Sequence, residues 1–266
     1  MEVYLIGDGI LDNYFWLENK EKDLKKELSI LGYGAHNFAI EEMKVSDIIN
    51  GIVPSQKHQK ARSYSYQITR NNKLFCLEEL ENKSNGNSSF VPLYGNFLSF
   101  SEKKEVDGLA VISIGGNDIN ASFSNIFMGI DYFMGAILTA EFVKNYETII
   151  ETSKRHCKKV MLVSIYLPYL GPNSSYGNYA RFAEPMIKIW HDFLHKMAKK
   201  HNIPVLDLDR TLNTSDRSHY GTNDTRTSNI SSKCIAKCID HIHTHYDGYK
   251  IYYAPNCNYN KIAVEK

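Results

Sequence analysis

The sequence predicts an α/β fold, a three-layer α/β/α sandwich around a roughly five-stranded parallel sheet. Five short apolar runs, each bounded by Gly, Pro, Asn or Asp, are typical of strands buried on both faces. Longer stretches with apolar residues every three or four positions lie among them and indicate helices. Because strands that alternate with helices form βαβ units, the pattern favours a parallel sheet with helices on both faces.

The predicted elements follow one another along a single domain, residues 1–266. The strands are predicted at Val3–Ile6, Asn37–Ile40, Leu109–Ile114, Val160–Ile165 and Val205–Leu208. The clearest helices are predicted at Ala140–Lys154, Tyr179–His201 and Ser228–His245. In the second of these helices, the apolar residues form one broad stripe, which predicts a face packed against the rest of the fold.

Polar stretches interrupt this pattern. An insertion spans about 55–105, and within it Tyr64–Leu80 is predicted to form a hairpin around a turn at 70–73. A loop at 211–227 separates the fifth strand from the last helix. The C-terminal tail, about 248–266, contains Tyr-Lys-Ile-Tyr-Tyr, which predicts a short strand at an edge of the sheet.

The composition excludes several classes of protein. The 31 Lys and Arg residues against 30 Asp and Glu leave no basic excess, so we expect no nucleic-acid partner. No apolar run approaches the roughly 18 residues of a membrane helix, and the start of the sequence lacks the basic segment of a signal peptide. Five irregularly spaced cysteines favour free thiols and a cytoplasmic protein. Phosphate-binding glycine motifs are missing, so we expect no cofactor.

Polar residues follow three of the predicted strands. Gly7-Asp8-Gly9 follows the first strand, Gly115-Gly116-Asn117-Asp118 follows the third, and the loop after the fifth contains Asp216 and His219. Ligands bind beyond the carboxyl ends of the strands in open parallel sheets. We therefore expect these three blocks to converge on one site.

The three blocks resemble those of the SGNH, or GDSL-type, hydrolase superfamily of esterases and lipases. The most specific pieces are Val-Ile-Ser-Ile-Gly-Gly-Asn-Asp at 111–118 and Leu-Ile-Gly-Asp-Gly-Ile-Leu-Asp-Asn at 5–13. In that family, a Gly-Asp-Ser block supplies the nucleophilic Ser, an Asn side chain donates to the oxyanion, and a late Asp-x-x-His supplies the base and its orienting carboxylate. The resemblance implies a flavodoxin-like fold and a small acyl or lipid-like ligand. It also implies that Asn117 is an oxyanion donor, with Asp8 and Gly116 beside it.

Two positions depart from the family pattern. Gly9 occupies the place of the nucleophile, and glycine has no side chain with which to form an acyl-enzyme. Its backbone N–H is still able to line an oxyanion hole. The family's second block usually supplies a further N–H from a Gly, and here that position falls on or near Glu42. A carboxylate at that point repels developing negative charge unless it faces solvent.

The catalytic base has two candidate positions. Residues 216–219 form a literal Asp-x-x-His, and we expect a flexible loop to present His219 to the site, with Asp216 orienting its ring. The family's His, however, normally lies about ten residues before an Ile-Ala pair, here Ile235-Ala236. That count lands on Arg226, with Asn223 at the position of the acid. Either the loop carries an insertion that brings His219 to the site, or the catalytic Asp and His of the family have been lost.

Structural roles compete with catalytic ones at several positions. In a structural role, Asp8 would accept hydrogen bonds from the amides of its own loop. Asn117 would cap the helix that follows it. Asp12 and Asp118 are interpreted as structural. We expect Gly116 to allow a close approach of the backbone.

A second cluster lies near the C-terminus. Five thiols and imidazoles fall within twelve residues: Cys234, Cys238, His241, His243 and His245. Structural zinc sites usually take ligands from two separate elements, and no second pair is evident. An amphipathic helix with packed cysteines is the favoured interpretation, so no metal site is predicted.

Two classes of function remain open. In the first, the chain is a pseudo-hydrolase that binds an acyl, acetylated-sugar or lipid-like ligand, or a protein partner, without turnover. In the second, it is an acyl-ester hydrolase in which Gly9 is a local substitution, and a Ser at that position would pass its proton to His219. A weaker alternative is hydrolysis by water that His219 activates, with help from Glu42 or Asp8.

Overall fold

The computed structural model describes the protein over most of its length. The described residues are 1–13, 17, 19, 22–39, 43–50, 68–70, 73–75, 105–121, 129–174, 176, 180–221 and 224–265. Within these ranges, seven strands form one sheet that is parallel except at one edge. The predicted α/β sandwich is thus confirmed, with seven strands in place of about five.

The sheet is built from strands that are short and mostly apolar. They are β1 Glu2–Gly7, β2 Gly34–Asn37, β5 Val106–Ser113, β6 Cys157–Val163, β7 Val205–Leu206, β8 Ile251–Tyr253 and β9 Ala263–Glu265. Their order across the sheet is β2-β1-β5-β6-β7-β8-β9. Six successive residues of β5 are buried, so both faces of that strand are covered.

The two additional strands come from the C-terminal tail. β8 pairs with β7 in parallel, and β9 turns back to pair with β8 antiparallel, from Ile251↔Glu265 to Tyr253↔Ala263. The tail therefore adds an inner strand and an edge strand, where the sequence predicts an edge strand alone. Each has three residues, which is too short for a distinct hydrophobic pattern.

The second strand of the sheet begins earlier than the sequence predicts. The structure has β2 at Gly34–Asn37 instead of Asn37–Ile40, in register with Glu2–Leu5 of β1. None of its four residues is fully buried. An edge strand of this kind carries no continuous apolar run. The hydrophobic pattern therefore places the strand too late, at the apolar residues that follow it.

The remaining described strands form the hairpin that the sequence predicts in the polar insertion. β3 Ile68–Arg70 pairs antiparallel with β4 Lys73–Phe75, and Arg70 lies opposite Lys73. Most of the insertion at 55–105 lies outside the described residues.

Helices surround the sheet. They are α1 Leu24–Ile30, α2 Val45–Asn50, α3 Gly116–Ala121, α4 Ile130–Ile137, α5 Ala140–His156, α6 Ala180–His201 and α7 Asn229–Thr244. The long predicted helices are confirmed to within two residues at each end. Side-chain caps explain two of the starts, because Thr139 accepts from the Phe142 N–H and Ser228 from the Ser231 N–H. No helix in the described ranges has the length and apolar character needed to cross a bilayer.

The aromatic core of the apolar stripe on α6 lies directly below the Gly115–Asp118 block. Trp190 is fully buried and packs against Phe142, Tyr146 and Phe193 at ring-centroid distances of 5.3–6.2 Å. Gly115 has φ +117°, and a Cβ built on it would lie 2.0 Å from the Trp190 ring. The start of α3 can therefore rest on this ring only because residue 115 is a glycine.

The carboxyl ends of β1 and β5 approach each other closely. β1 pairs with β2 on one side and β5 on the other, so the strand order reverses here and ligands are expected at this point of the sheet. Gly7 has φ +145°, and a Cβ on it would lie 1.7 Å from the Ser113 carbonyl oxygen. The next residue, Asp8, donates its N–H to that same oxygen at 3.0 Å.

We predict that Gly7→Ala destabilises the fold strongly. The new methyl group would collide with backbone at an unfavourable φ, which we expect to lower the free energy of unfolding by about 3 kcal/mol or more. Urea denaturation followed by circular dichroism measures this change.

Gly135→Ala is the matched control, because Gly135 lies within α4 and a Cβ there meets no atom within 4 Å. We expect it to stabilise the helix by about 0.5–1 kcal/mol. Equal changes in the free energy of unfolding for the two substitutions would contradict the close approach of Gly7 to the Ser113 backbone.

Candidate active site

A cavity of about 430 Å³ lies beyond the carboxyl ends of β1, β5 and β6. Its wall is largely aliphatic and comes from the turn after β1, from α3, from the segment after β6 and from α6: Ile10, Ile119, Ile165, Leu167, Leu170, Met186 and Ile187. The polar groups that line it are Asp8, Asn117, Asn120, Tyr166, Tyr176, Thr225 and Arg226. An apolar cavity with a few convergent polar groups is the usual form of a small-molecule site.

Asp8 sits in a tight turn at one end of the cavity. Its side chain is 2% exposed, and its Oδ1 accepts the Ile10 N–H at 3.1 Å. Its carbonyl oxygen accepts from the N–H groups of Leu11 and Asp12. Asp8 therefore organises the turn that contains Gly9, as the structural alternative predicts, and it also lines the cavity.

Gly9, which the family resemblance aligns with the nucleophile, is buried within this turn between two residues that line the cavity, Asp8 and Ile10. Glu42, expected near the second oxyanion donor, lies outside the described residues.

Asn117 and Gly116 line the cavity from the start of α3. Asn117 Nδ2 donates one bond to the Met43 carbonyl at 3.1 Å. An amide nitrogen carries two hydrogens, so this bond fixes the orientation of the side chain and leaves a second donor on it. Gly116 lies close to Asp8, because a Cβ built on it would come within 3.4 Å of Asp8 Oδ2.

Asp118 points away from this cavity and holds the chain that leads into α2. Its Oδ2 accepts the Val45 N–H at 3.1 Å. Burial raises the pKa of the Asp118 carboxyl to about 6, although the bond from Val45 and the charge of Lys44 oppose the shift. Asp118 is thus one of the contacts that position α3, in keeping with its structural interpretation.

The structure does not bring the Asp216–His219 pair to the cavity. Neither residue lines it, and the His219 side chain is buried elsewhere, with a relative exposure of 3%. His219 Nδ1 accepts the Asn213 N–H at 2.9 Å, and its Nε2 lies 3.8 Å from Asp216 Oδ2. The ring is therefore held by groups away from the cavity, among them Cys257 of the C-terminal segment, and the expected presentation of His219 to the site is not observed.

Asp216 has a capping role in this arrangement. Its Oδ1 accepts the Ser218 N–H at 2.9 Å and so begins a short 3₁₀ turn, Arg217–His219. The bonds from Ser218 hold the pKa of Asp216 below its usual range, and the nearby His219 ring adds to this effect. The literal Asp-x-x-His is thus a capped turn.

The loop contributes Thr225 and Arg226 to the cavity instead. The Tyr166 hydroxyl donates to the Thr225 carbonyl at 2.8 Å, and the Gly221 N–H donates to the Arg226 carbonyl at 2.7 Å. A bridge between Tyr220 and Thr227 closes the loop below them. The count back from Ile235-Ala236 is the sequence signal that locates Arg226 here.

A further tether joins this loop to the turn after β1. Asn13 is 1% exposed, and its Nδ2 donates to Thr227 Oγ1 at 2.9 Å and to Ser232 Oγ at 2.7 Å. Its Oδ1 accepts the Leu24 N–H at 3.3 Å. Asn13 belongs to the block at 5–13, but the sequence assigns it no role, because its partners Thr227 and Ser232 lie 214 and 219 residues further along the chain.

The cysteine and histidine cluster near the C-terminus does not assemble a metal site. Within the described ranges, no group of three or more His, Cys, Asp or Glu side chains has an arrangement that could hold a metal ion. Cys234 and Cys238 are fully buried in α7, whereas His241 and His245 stack on each other with ring centroids 4.2 Å apart. Burial and the proximity of His245 lower the pKa of His241.

A family model decides the classification. The model described as "GDSL-like Lipase/Acylhydrolase family" matches residues 84–251, more than half of the chain. The chain belongs to this family. The match includes the Gly-Gly-Asn-Asp block and the loop with Arg226, and it begins after the turn that contains Gly9. A search of curated protein sequences finds no match.

Solved structures of this family's fold resemble the chain over nearly its whole length. A lipase, Lip_vut3 from a goat rumen metagenome, is 13% identical with a TM-score of 0.58, covering 93% of this chain and 98% of the other. The acetyl xylan esterase AlAXEase is 16% identical with a TM-score of 0.50, covering 93% and 100%. A carbohydrate acetylesterase family member from Sinorhizobium meliloti is 10% identical with a TM-score of 0.51, covering 92% and 97%. At these identities the similarity shows a common fold.

We predict that His219→Ala affects stability and leaves the cavity unchanged. The substitution removes the buried acceptor of the Asn213 N–H and opens a void, which should lower the free energy of unfolding by about 2 kcal/mol. Chemical denaturation measures this change. Asp216→Asn is the control, because Asn caps as well as Asp, and we expect a change below about 0.5 kcal/mol. A large loss of stability in the control would contradict the capping role.

Asp118→Asn should make the fold more stable at neutral pH. The folded-state pKa of Asp118 is raised to about 6, so its destabilising charge forms as the pH rises through that value. The stability difference between the variant and the natural chain should be small below pH 4 and reach about 2 kcal/mol at pH 8. Urea denaturation between pH 4 and 8 tests this.

Asp131→Asn, at an exposed position in the first turn of α4, is the control for replacing a carboxylate. The same pH-dependent gain in both variants would rule out burial as the cause.

Proposed function

We propose that this GDSL-like protein binds an acyl compound in its cavity and does not hydrolyse it by serine chemistry. The observation that carries the proposal is the pair of residues at the two catalytic positions. Gly9 occupies the nucleophile position, and Arg226 lines the cavity at the position that the family gives to its base.

Gly9 removes the covalent step. An acyl-enzyme requires a side-chain oxygen or sulfur at the reacting carbon, and glycine offers neither. A serine hydrolase that has lost part of its catalytic triad retains roughly 10³–10⁴-fold catalysis over water, from the oxyanion hole and binding. This residual activity is far below that of ordinary enzymes, whose kcat values are about 1–10³ s⁻¹.

Arg226 cannot replace the base. A guanidinium stays protonated at all physiological pH values and has no acceptor atom, so it takes no proton from a hydroxyl group or from water. His219, the other candidate, uses Nδ1 to accept a backbone N–H and turns Nε2 toward Asp216. Water activation by His219 therefore has no support in this geometry.

The features that bind an acyl group are nevertheless present. The aliphatic wall from Ile10 to Ile187 suits an apolar chain. Asn117 keeps a donor hydrogen at the cavity, where the family uses one to hold a carbonyl oxygen. These features favour retention of an acyl ligand over loss of the site.

Reconstruction of the missing catalytic groups tests the proposal. We expect Gly9→Ser alone to stay within about tenfold of the natural chain on a short-chain nitrophenyl ester. Gly9→Ser combined with Arg226→His and Asn223→Asp should gain at least about a hundredfold, which corresponds to about 2.7 kcal/mol of barrier. Gly9→Ala in the same combination is the matched control, since it lacks only the hydroxyl.

Two results would contradict the proposal. One is turnover by the natural chain at the rate of an ordinary esterase. The other is a hundredfold gain from Gly9→Ser alone that His219→Ala abolishes, which would identify His219 as a working base and the glycine as the only missing group.

We further propose a reducing compartment, consistent with a cytoplasmic protein. Four cysteines in the described residues are buried free thiols: Cys157, Cys234, Cys238 and Cys257. Burial raises the pKa of Cys157 to about 12, which keeps its thiol protonated. Disulfides are rare in such compartments.

A further inference from the structure

We infer that the cavity binds a free carboxylic acid with an apolar tail, and that Arg226 holds the carboxylate. The inference rests on the proposed function, since it names the ligand of the same cavity. It follows from three features: the charge at the polar end, the support of the Arg226 backbone and the aliphatic wall.

Arg226 supplies the cationic group of the cavity wall. Among the described lining residues, the side chains with a formal charge at neutral pH are Asp8 and Arg226. Asp8 uses Oδ1 to accept the Ile10 N–H of its own turn. A guanidinium has five N–H donors in a planar fork, so Arg226 is able to hold a neighbouring side chain and a ligand carboxylate together.

The backbone that carries Arg226 is fixed before any ligand arrives. The carbonyl oxygens of Thr225 and Arg226 accept bonds from the Tyr166 hydroxyl and the Gly221 N–H, and Thr227 is tethered by Asn13. A polar group held in place in this way spends little free energy on ordering when a ligand binds.

The aliphatic wall selects the other end of the ligand. Ile119, Ile165, Met186 and Ile187 present methyl and methylene groups, and no described residue beyond Asp8 and Arg226 puts a formal charge into the cavity. A volume of about 430 Å³ lies in the range of small-molecule pockets. An aliphatic chain fits this environment, because it buries apolar surface without leaving polar groups unpaired.

The acid is preferred over its ester or amide because of the charge. A hydrogen bond between a guanidinium and a carboxylate is roughly twice as strong as one between neutral groups, and it is often bidentate. Such a ligand is the product that an acyl hydrolase would release. A cavity that had exchanged its base for an arginine would therefore retain the product of the ancestral reaction.

Titration calorimetry on the full chain tests the inference with two probes of nearly equal size and shape, octanoate and octanamide, at pH 7.5. We expect octanoate to bind at least tenfold more tightly than octanamide. Arg226→Gln should abolish this preference, because it should weaken octanoate binding much more than octanamide binding, whereas Arg226→Lys should keep part of the preference. Arg155→Gln is the charge-matched control, because Arg155 bonds Thr152 on its own helix and does not line the cavity.

The outcomes separate the inference from the proposed function. Equal binding of octanoate and octanamide to the natural chain would overturn the inference and support acyl binding. Loss of the preference in Arg155→Gln as well would overturn the role of Arg226. Binding of neither probe would overturn both, and the comparison within the natural chain needs no variant to fold.

Discussion

The hydrogen bond from the Asp8 N–H to the Ser113 carbonyl is the contact on which the site depends. It forms where β1 and β5 end side by side, and it requires the backbone of Gly7 to lie against Ser113 with no space for a side chain. This contact brings the turn of Gly9 beside the start of α3. The cavity then follows, since its polar end lies between these two segments.

A second set of bonds holds the other segments that line the cavity. The segment after β6 and the loop after β7 hold each other, because the Tyr166 hydroxyl bonds Thr225 and the Tyr220 hydroxyl bonds the Leu167 carbonyl. The Leu167 N–H in turn donates to Asp209. These bonds determine which residues of the loop reach the cavity.

The sequence predicts the parts of this structure that depend on local pattern. The long helices are amphipathic, two of them have recognisable caps, and the strands β1, β5 and β6 carry continuous apolar runs, so their positions are evident. The strands β2, β8 and β9 are short or half-exposed, and they carry no continuous apolar run of comparable length. The convergence of Asp8 and Asn117 is also predictable, because both follow parallel strands that end at the same edge of the sheet.

The loop at 211–227 shows where sequence pattern fails. A literal Asp-x-x-His at 216–219 is the stronger motif, yet a 3₁₀ turn and the Asn213 bond bury His219 inside the loop. The side chain that lines the cavity is determined by the Tyr220–Thr227 bridge and by spacing from α7. Contacts between residues distant in sequence decide this point, and no single motif encodes them.

The Asn13 tether has a consequence for how such a protein changes over time. It joins the turn after β1 to the loop before α7 through Thr227 and Ser232, and its bonds bypass residues 9 and 226. On the proposed roles of residues 9 and 226, the architecture of the cavity and its chemical character are encoded by different residues. Mutations at 9 and 226 would then change what the pocket does while its inherited shape is preserved.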